Sequence, residues 1–151
     1  MIKGIWFFGY SGSGKTFASK FLKKRIKNSI LIDGDKVRKY ISFDLGYSLN
    51  DRQIQIQRIC GLLKILKKTQ LFPIISTVYF DNYTKKFCIK NKILPIRIIR
   101  KNMMSIFKSH KTYKNKFNIV GIDIKYSKIL TKNIYNNGEK NFCKKLTLLI
   151  P

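Results

Sequence analysis

A glycine-rich loop that ends in a lysine and a threonine lies near the start of the 151-residue chain, at residues 9–16. Its sequence, GYSGSGKT, fits the pattern G-x-x-x-x-G-K-[ST] of a loop that binds phosphate groups. The backbone N–H groups of such a loop surround a polyphosphate, and the helix that follows adds the partial positive charge of its N-terminus. The loop therefore predicts binding of a nucleoside triphosphate, with ATP and Mg²⁺ as the expected cofactors.

Individual residues of this loop predict individual contacts. We expect Lys15 to reach the outer phosphates as a catalytic residue, and the Thr16 hydroxyl to be a ligand of Mg²⁺. The residues predicted to bind the cofactor are Gly9, Ser11, Gly12, Ser13, Gly14, Lys15 and Thr16. The alternative is a glycine-rich turn that binds nothing. The apolar run before the loop and the helical spacing after it argue against that alternative.

Two carboxylates follow a second apolar run, in the sequence Asp33-Gly34-Asp35. Ligands of a parallel α/β sheet bind at the carboxyl ends of its strands, so both carboxylates are expected to face the phosphate loop. We expect Asp35 to orient or deprotonate an acceptor hydroxyl, and Asp33 to hold Mg²⁺-bound water beside it. The alternative is a turn in which both residues only cap a helix that begins near Lys36.

A capping box at residues 48–51 predicts a long helix, over residues 49–69. Arg52, Gln55, Ile59, Leu62 and Leu66 share one face of this helix. The arginine and the amide lie near its N-terminus, where they are placed to hold an anionic substrate, whereas Leu66 lies about 21 Å further along at 1.5 Å per residue. The alternative is a helix that packs on the core and whose first turn contacts solvent without binding a substrate.

The apolar runs predict an α/β fold with a parallel sheet of about five strands flanked by helices, as in P-loop NTPases. Strands are expected at residues 5–8, 29–32, 71–75, 96–99 and 134–135, a loop and helix at 81–91, and a terminal helix that carries Phe142, Leu146, Leu149 and Ile150. Without internal repeats or a linker, residues 1–151 are expected to be one domain.

A lysine-rich segment at approximately residues 108–128 is expected to be a mobile lid. Lys108, His110 and Lys111 are its residues expected to close over the triphosphate. A solvated surface histidine is the alternative for His110.

The chain is strongly basic, with a net charge of +25. Such a charge is typical of nucleic-acid binding, but the lysines are spread along the chain. Lysine, isoleucine and asparagine also share AT-rich codons, so we favour codon bias as the origin of the charge, with attraction of anionic substrates as a by-product. The expected partner is a small-molecule nucleotide acceptor, and neither a nucleic acid nor a membrane.

The compartment is predicted from three features. No apolar run approaches the roughly 20 residues of a membrane-spanning helix, and the N-terminus has no features of a signal peptide. Cys60, Cys88 and Cys143 are widely spaced and odd in number, which predicts neither a disulfide framework nor a metal site. We therefore expect a cytoplasmic protein.

Several sequence strings together resemble the adenylylsulfate (APS) kinase family. They are GYSGSGKT at 9–16, LIDGDKVR at 31–38, DLGYS at 44–48, Asp51-Arg52, Arg58, Gly121-Ile122-Asp123 and Tyr126. The resemblance implies a kinase that moves the γ-phosphoryl group of ATP to the ribose 3′-hydroxyl of a nucleotide with a substituted 5′-phosphate. It also implies that Arg38 and Arg52 hold this acceptor, that Asp35 lies near its 3′-hydroxyl, that residues around Gly121 form the lid, and that a homodimer forms.

The chain departs from this family in the implied acceptor pocket. Gln55 stands where the family has an acceptor-binding asparagine. Leu66 and Ile119 stand where the family has aromatic residues that stack on the acceptor adenine, unless a small insertion makes Phe117 the second counterpart. Because stacking contributes about 1–3 kcal/mol per base, their loss predicts a different base.

Cytidine diphosphoramidate, the acceptor of related kinases in capsular phosphoramidate biosynthesis, is therefore the expected acceptor. The alternative is adenylylsulfate itself. A nucleotide-binding module without turnover and a basic nucleic-acid-binding ATPase are further alternatives.

Overall fold

The computed structural model of the chain describes residues 1–109, 111–114, 117–126 and 131–151. Its strands are β1 (Gly4–Phe8), β2 (Ser29–Asp33), β3 (Phe72–Thr77), β4 (Ile93–Arg100) and β5 (Lys132–Asn136). Its helices are α1 (Lys15–Lys23), α2 (Gly34–Tyr40), α3 (Leu49–Leu66), α4 (Asn82–Lys90), α5 (Met103–Ser109) and α6 (Glu139–Thr147), with a 3-10 turn at Lys111–Lys114. His110 and the side chain of Lys111, both assigned to the lid, lie outside the described part.

The five strands form one parallel sheet in the order β2-β3-β1-β4-β5. Helices cover both faces, because successive side chains of the central strand β1 point to opposite sides. Trp6 and Phe8 pack with residues of α3 and α4, whereas Ile5 and Phe7 pack with residues of α1 and α6. The predicted α/β fold with a five-stranded parallel sheet and flanking helices is confirmed.

Several element boundaries differ from the sequence-based expectation. The terminal helix α6 ends at Thr147, so it carries Phe142 and Leu146 but not Leu149 and Ile150. Helix α3 ends at Leu66 rather than at residue 69. Strand β4 begins at Ile93 and includes Pro95, which was expected to precede the strand. Pro95 is tolerated because the pairing of β4 with β5 begins only at Ile96. At Pro95 the strand is therefore paired on one side only, with β1, which is the kind of edge position where proline occurs in sheets.

The polar residues that matter for chemistry follow directly from this topology. Strands β1, β2 and β3 are parallel neighbours, so Phe8, Asp33 and Thr77 end at the same edge of the sheet. The phosphate loop leaves this edge after β1, and α2 begins there after β2. Among the described residues, no helix is both long enough and apolar enough to cross a membrane.

The buried end of β3 generates a stability prediction. The indole Nε1 of Trp6 donates to Oγ1 of Thr77 at 2.8 Å, and this hydroxyl donates to the carbonyl of Tyr79 at 2.8 Å. Thr77→Val leaves the indole N–H and the carbonyl unpaired in the core, so we expect the free energy of unfolding to fall by about 2–4 kcal/mol. Urea unfolding followed by the fluorescence of Trp6, the single tryptophan of the chain, measures it.

Thr147→Val on the exposed end of α6 is the matched control, with an expected change within about 0.5 kcal/mol. If both variants unfolded at the same urea concentration, the buried hydrogen bonds would not contribute as argued.

Candidate functional site

A cavity of about 440 Å³ opens at the carboxyl ends of β1, β2 and β3. Its lining joins the phosphate loop to the start of α2, the first turns of α3 and the segment around residues 117–120. The sequence-predicted residues in its wall are Ser11, Gly12, Lys15, Thr16, Asp33, Asp35, Arg38, Arg52, Gln55 and Ile119. The fold thus brings the predicted phosphate site and most of the predicted acceptor site into one cavity.

The phosphate loop has the backbone that its glycines predict. Gly9 has a φ of +149°, and a Cβ on it would lie 2.4 Å from the carbonyl oxygen of Ile98. Gly14 has a φ of +107°, and a Cβ there would lie 2.5 Å from Nδ2 of Asn136. Both positions therefore require glycine.

Ser13 has one backbone contact that fixes the loop and one side-chain hydroxyl without a partner among the described residues. The amide of Asn136 donates to the carbonyl of Ser13 at 3.0 Å, which ties the loop to the end of β5. The hydroxyl oxygen of Ser13 is buried and has no hydrogen-bond partner among the described residues. An unpaired buried hydroxyl is costly, so an oxygen-rich ligand in the loop would satisfy it.

Lys15 is buried at the first turn of α1, and its Nζ donates to the carbonyl of Tyr10 at 2.7 Å. Burial lowers the pKa of Lys15 from 10.5 to about 8, while the nearby carboxylates of Asp35 and Asp33 act in the opposite direction. A buried ammonium group with one neutral partner is poised to bind an anion, because a phosphate oxygen restores the charge balance that water would provide.

The two predicted carboxylates have different surroundings. Asp33 is the N-cap of α2: its Oδ1 accepts from the backbone N–H groups of Asp35 and Lys36 at 3.0 and 3.3 Å. Its Oδ2 accepts from the hydroxyl of Ser76 at 3.1 Å. The capping alternative therefore describes Asp33, although this residue also lines the cavity. Asp35 is not the cap, and its exposed side chain lies at the cavity wall.

Two arginines are buried at the opposite wall of the cavity, each 9% exposed. Arg38 donates to the carbonyls of Leu45 and Gly46 and to Oε1 of Gln55. Arg52 donates to the carbonyls of Tyr47 and Asn118, at 3.1 and 2.8 Å. Burial lowers the pKa of both guanidinium groups, and for Arg52 the charge of Arg38 adds to this.

All these partners of Arg38 and Arg52 are neutral oxygen atoms. Within the described ranges, the single ion pair joins Arg58 to Asp44, outside the cavity lining. Asp35 and, for Arg38, Asp51 act on these cations only from a distance, and two neighbouring buried cations without a directly bonded carboxylate are stabilised by an anion between them. The wall is therefore suited to an anionic ligand. Gln55 also donates to the carbonyl of Gly34 at 2.6 Å, which fixes its amide and thereby orients Arg38.

Two aromatic residues of the cavity were missed or left open by the sequence-based reasoning. Tyr47 is 60% exposed, and the guanidinium carbons of Arg38 and Arg52 lie 4.7 and 5.6 Å from its ring centroid. Phe117 is 79% exposed and lines the same cavity. The signal for Tyr47 was its place in the string DLGYS, directly before the capping box.

Leu66 was expected in the acceptor pocket, but it does not line the cavity that contains the other predicted acceptor residues. Leu66 lines a second cavity together with Phe72 and Ile93, the first residues of β3 and β4. This cavity lies at the opposite edge of the sheet, because α3 runs from the carboxyl ends of the strands to their amino ends. A helix of 18 residues is about 27 Å long at 1.5 Å per residue, so its two ends cannot contact one small ligand.

The residues around Thr16 have the chemistry of a Mg²⁺ site. Mg²⁺ prefers oxygen ligands and retains several waters, and the cavity wall presents the Thr16 hydroxyl and the carboxylates of Asp33 and Asp35. No group of three or more His, Cys, Asp and Glu residues is arranged as a metal cluster in the described ranges. The donor set therefore fits an ion shared with phosphate and water rather than one enclosed by protein.

Comparison with known proteins points to one family. The family model described as adenylylsulphate kinase matches residues 2–148. The adenylyl-sulfate kinase of Buchnera aphidicola is 38% identical over 78 residues, which are 49% of this chain and 38% of that protein. The chain thus spans less than half the length of the curated relatives that it matches.

Solved structures agree on the fold. The structure of the Mycobacterium tuberculosis APS kinase in complex with AMPPNP and APS superposes with a TM-score of 0.80 at 18% identity, covering 98% of this chain and 95% of that one. A sugar kinase from Janibacter superposes with a TM-score of 0.68 at 10% identity, covering 99% and 95%. Structural similarity alone therefore does not select the acceptor.

The lowered pKa of Lys15 predicts how polyphosphate binding depends on pH. A bound anion favours the protonated amine, so the contribution of Lys15 to the affinity for inorganic tripolyphosphate should change little below about pH 7 and fall as the pH rises through about 8, by up to about tenfold per pH unit. Isothermal titration calorimetry between pH 7 and pH 10 measures the affinity.

Lys15→Arg is the control for titration of the ligand and of other groups, because a guanidinium group stays protonated throughout this range. The loss of affinity should be shallower in this variant. Identical pH profiles for the wild type and Lys15→Arg would contradict the assigned pKa.

Proposed function

The chain belongs to the adenylylsulphate kinase family, and on that premise we propose that it transfers the γ-phosphoryl group of ATP to a nucleotide. The acceptor atom is the ribose 3′-hydroxyl, and the 5′-phosphate of the acceptor carries a further group. One observation carries this proposal: the phosphate loop, the carboxylate of Asp35 and two buried arginines without carboxylate partners line a single cavity.

ATP binds along residues 9–16 in this proposal. Lys15 exchanges its hydrogen bond with the carbonyl of Tyr10 for the outer phosphates, which raises the pKa of its amine again. The buried hydroxyl of Ser13 gains a phosphate oxygen as its partner. Thr16, with Asp33 and Asp35 in the same cavity lining, would hold Mg²⁺, which would neutralise charge on the phosphate oxygens.

The acceptor binds at the opposite wall. Its anionic 5′-group lies against Arg38 and Arg52, and this directs the ribose toward Asp35. The oxygen of the 3′-hydroxyl then forms a bond to the γ-phosphorus, the bond to the β,γ-bridging oxygen breaks, and ADP leaves. The hydroxyl proton passes to the carboxylate of Asp35. Such a reaction requires mainly positioning and charge neutralisation, which these residues provide.

Adenylylsulfate is the acceptor that we propose first. A pyrimidine was expected because Leu66 and Ile119 stand where the family has two aromatic residues. Leu66 lies at the other edge of the sheet, whereas Tyr47 and Phe117 both line the cavity. The cavity therefore offers two aromatic rings that suit stacking with an adenine.

Cytidine diphosphoramidate, and with it a role in capsule synthesis, is the second candidate. The observation that favours it is that the aliphatic Ile119 also lines the cavity. A closing lid over approximately residues 108–128, a homodimer, a single domain over residues 1–151 and a cytoplasmic location stay predictions.

An acceptor panel tests the proposed reaction. We expect ADP release that depends on both Mg²⁺ and a nucleotide acceptor, with adenylylsulfate used more efficiently than cytidine diphosphoramidate. Phosphorus NMR of the product should show the new phosphate on the 3′-oxygen. Preference for the cytidine compound would reverse the assignment of the base, and absence of acceptor-dependent turnover would contradict the kinase function.

Asp35→Asn tests the role of Asp35 in the same assay. The amide keeps the size of the side chain but cannot take the proton, so turnover should fall by at least about 100-fold. The affinity for ATP, measured by calorimetry, should stay within a few-fold of the wild type. A variant that retained most of its activity would show that Asp35 does not have the assigned role, whereas Lys15→Ala should lose both binding and turnover.

The ring of Tyr47 generates a separate prediction about the acceptor base. If it stacks on the base, Tyr47→Ala should raise the acceptor KM by about tenfold to 100-fold, the equivalent of 1–3 kcal/mol of stacking, while Tyr47→Phe changes it little. Steady-state kinetics with saturating ATP measures this. Equal KM values for Tyr47→Ala and the wild type would exclude stacking on Tyr47.

A further inference from the structure

A tyrosine of the phosphate loop contacts the segment that forms one wall of the acceptor side. The ring of Tyr10 lies against Gly121: a Cβ built on Gly121 would be 2.3 Å from Cε1 of this ring. The ring also stacks on Tyr126, with centroids 5.4 Å apart and planes inclined by 20°. Tyr10 occupies a variable position of the phosphate-loop pattern, so phosphate binding requires neither contact.

Residues 117–126, which we call the wall segment, form a compact turn. The carbonyl of Ile119 accepts from the backbone N–H groups of Asp123 and Ile124 at 2.9 and 3.1 Å, and Oδ2 of Asp123 accepts from the N–H of Ile119 at 2.9 Å. Val120 and Ile124 are buried in the core. Because these bonds join residue 119 to residues 123 and 124, this part of the segment is expected to move as a unit.

The wall segment reaches the acceptor site at two points. The carbonyl of Asn118 accepts from Nη2 of Arg52 at 2.8 Å, so the position of the segment sets the direction of this guanidinium group. The hydroxyl of Tyr126 donates to the carbonyl of Val78, which lines the same cavity. A continuous set of contacts thus runs from the ring of Tyr10 to a cation of the acceptor wall.

A cation holds the aromatic stack together. The guanidinium carbon of Arg97 lies 5.6 Å from the ring centroid of Tyr10 and 4.8 Å from that of Tyr126. Both distances are within the range of a cation–π interaction. Phe107 lies on another side of Tyr10, with ring centroids 6.4 Å apart. The ring of Tyr10 is therefore fixed from several directions.

We propose that Tyr10 is a positioning residue, which places the wall segment, and through it Arg52, for the acceptor. This inference rests on the proposed function, because it assigns Arg52 to the acceptor. The contribution of Tyr10 to the phosphate loop itself is its backbone carbonyl, which accepts from the N–H of Ser13 and from Nζ of Lys15. Any residue supplies that carbonyl, so loss of the ring affects acceptor binding and spares ATP binding.

Tyr10→Leu and Tyr10→Phe separate these two contributions. Leucine keeps an apolar side chain but removes the stack, so the acceptor KM should rise by about threefold to tenfold, while the KM for ATP stays within about twofold. Phenylalanine keeps the ring and should restore the acceptor KM. Tyr83→Leu, the same substitution at a half-exposed tyrosine of α4 outside the cavity lining, is the matched control and should change neither value.

An unchanged acceptor KM in Tyr10→Leu, or an equal rise in both KM values, would overturn the inference. Absence of wild-type turnover with every acceptor would count against the proposed function instead. Amide hydrogen exchange then decides on Tyr10: Tyr10→Leu should speed exchange at Gly121 and Asp123, whose N–H groups are bonded within the turn. Exchange as slow as in Tyr83→Leu would overturn the positioning role.

Discussion

The burial of two guanidinium groups without a carboxylate partner is the constraint on which the rest of the site depends. Arg38 and Arg52 are held by neutral carbonyl and amide oxygens, which orient them, while the nearby carboxylates of Asp35 and, for Arg38, Asp51 act on them only from a distance. In a low-dielectric wall this arrangement is unfavourable by itself and favourable with an anion between the two side chains. The buried cations thus lower the stability of the free protein and would raise its affinity for an anion. The capping box of α3 and the hydrogen bond from Gln55 to the carbonyl of Gly34 hold the arginine side chains in this arrangement.

The phosphate loop on the other side of the cavity follows the same logic. Lys15 is buried with a lowered pKa, and the hydroxyl of Ser13 is unpaired in the described structure. Oxygen atoms that carry negative charge would stabilise the protonated amine of Lys15 and accept a hydrogen bond from the hydroxyl of Ser13. Each wall of the cavity is therefore incomplete without an anion. Asp35, an exposed carboxylate of this cavity, is the group suited to accept a proton between them.

The two walls are connected by packing as well as by their common cavity. Tyr10 belongs to the phosphate loop, and its ring contacts the wall segment at Gly121. That segment carries the carbonyl that binds Arg52. Through these contacts, the proposed acceptor site would depend on the position of the phosphate loop without any long-range rearrangement. The same segment also brings Phe117 to the cavity, so in the proposed function both the choice of the base and the coupling of the two sites would depend on one short turn.

The sequence by itself determined the features that depend on local patterns. Apolar runs specified the strands, the glycine and lysine spacing specified the phosphate loop, and Ser48 with Asp51 specified the start of α3, because backbone geometry and capping act within a few residues. Only the tertiary structure decided which distant side chains share the cavity. Leu66 was assigned to the acceptor by its position in a motif, but the length of α3 carries it to the other edge of the sheet. Tyr47 and Phe117 are far apart in the chain. They line one cavity because the fold brings the turn before α3 and the wall segment to the same place.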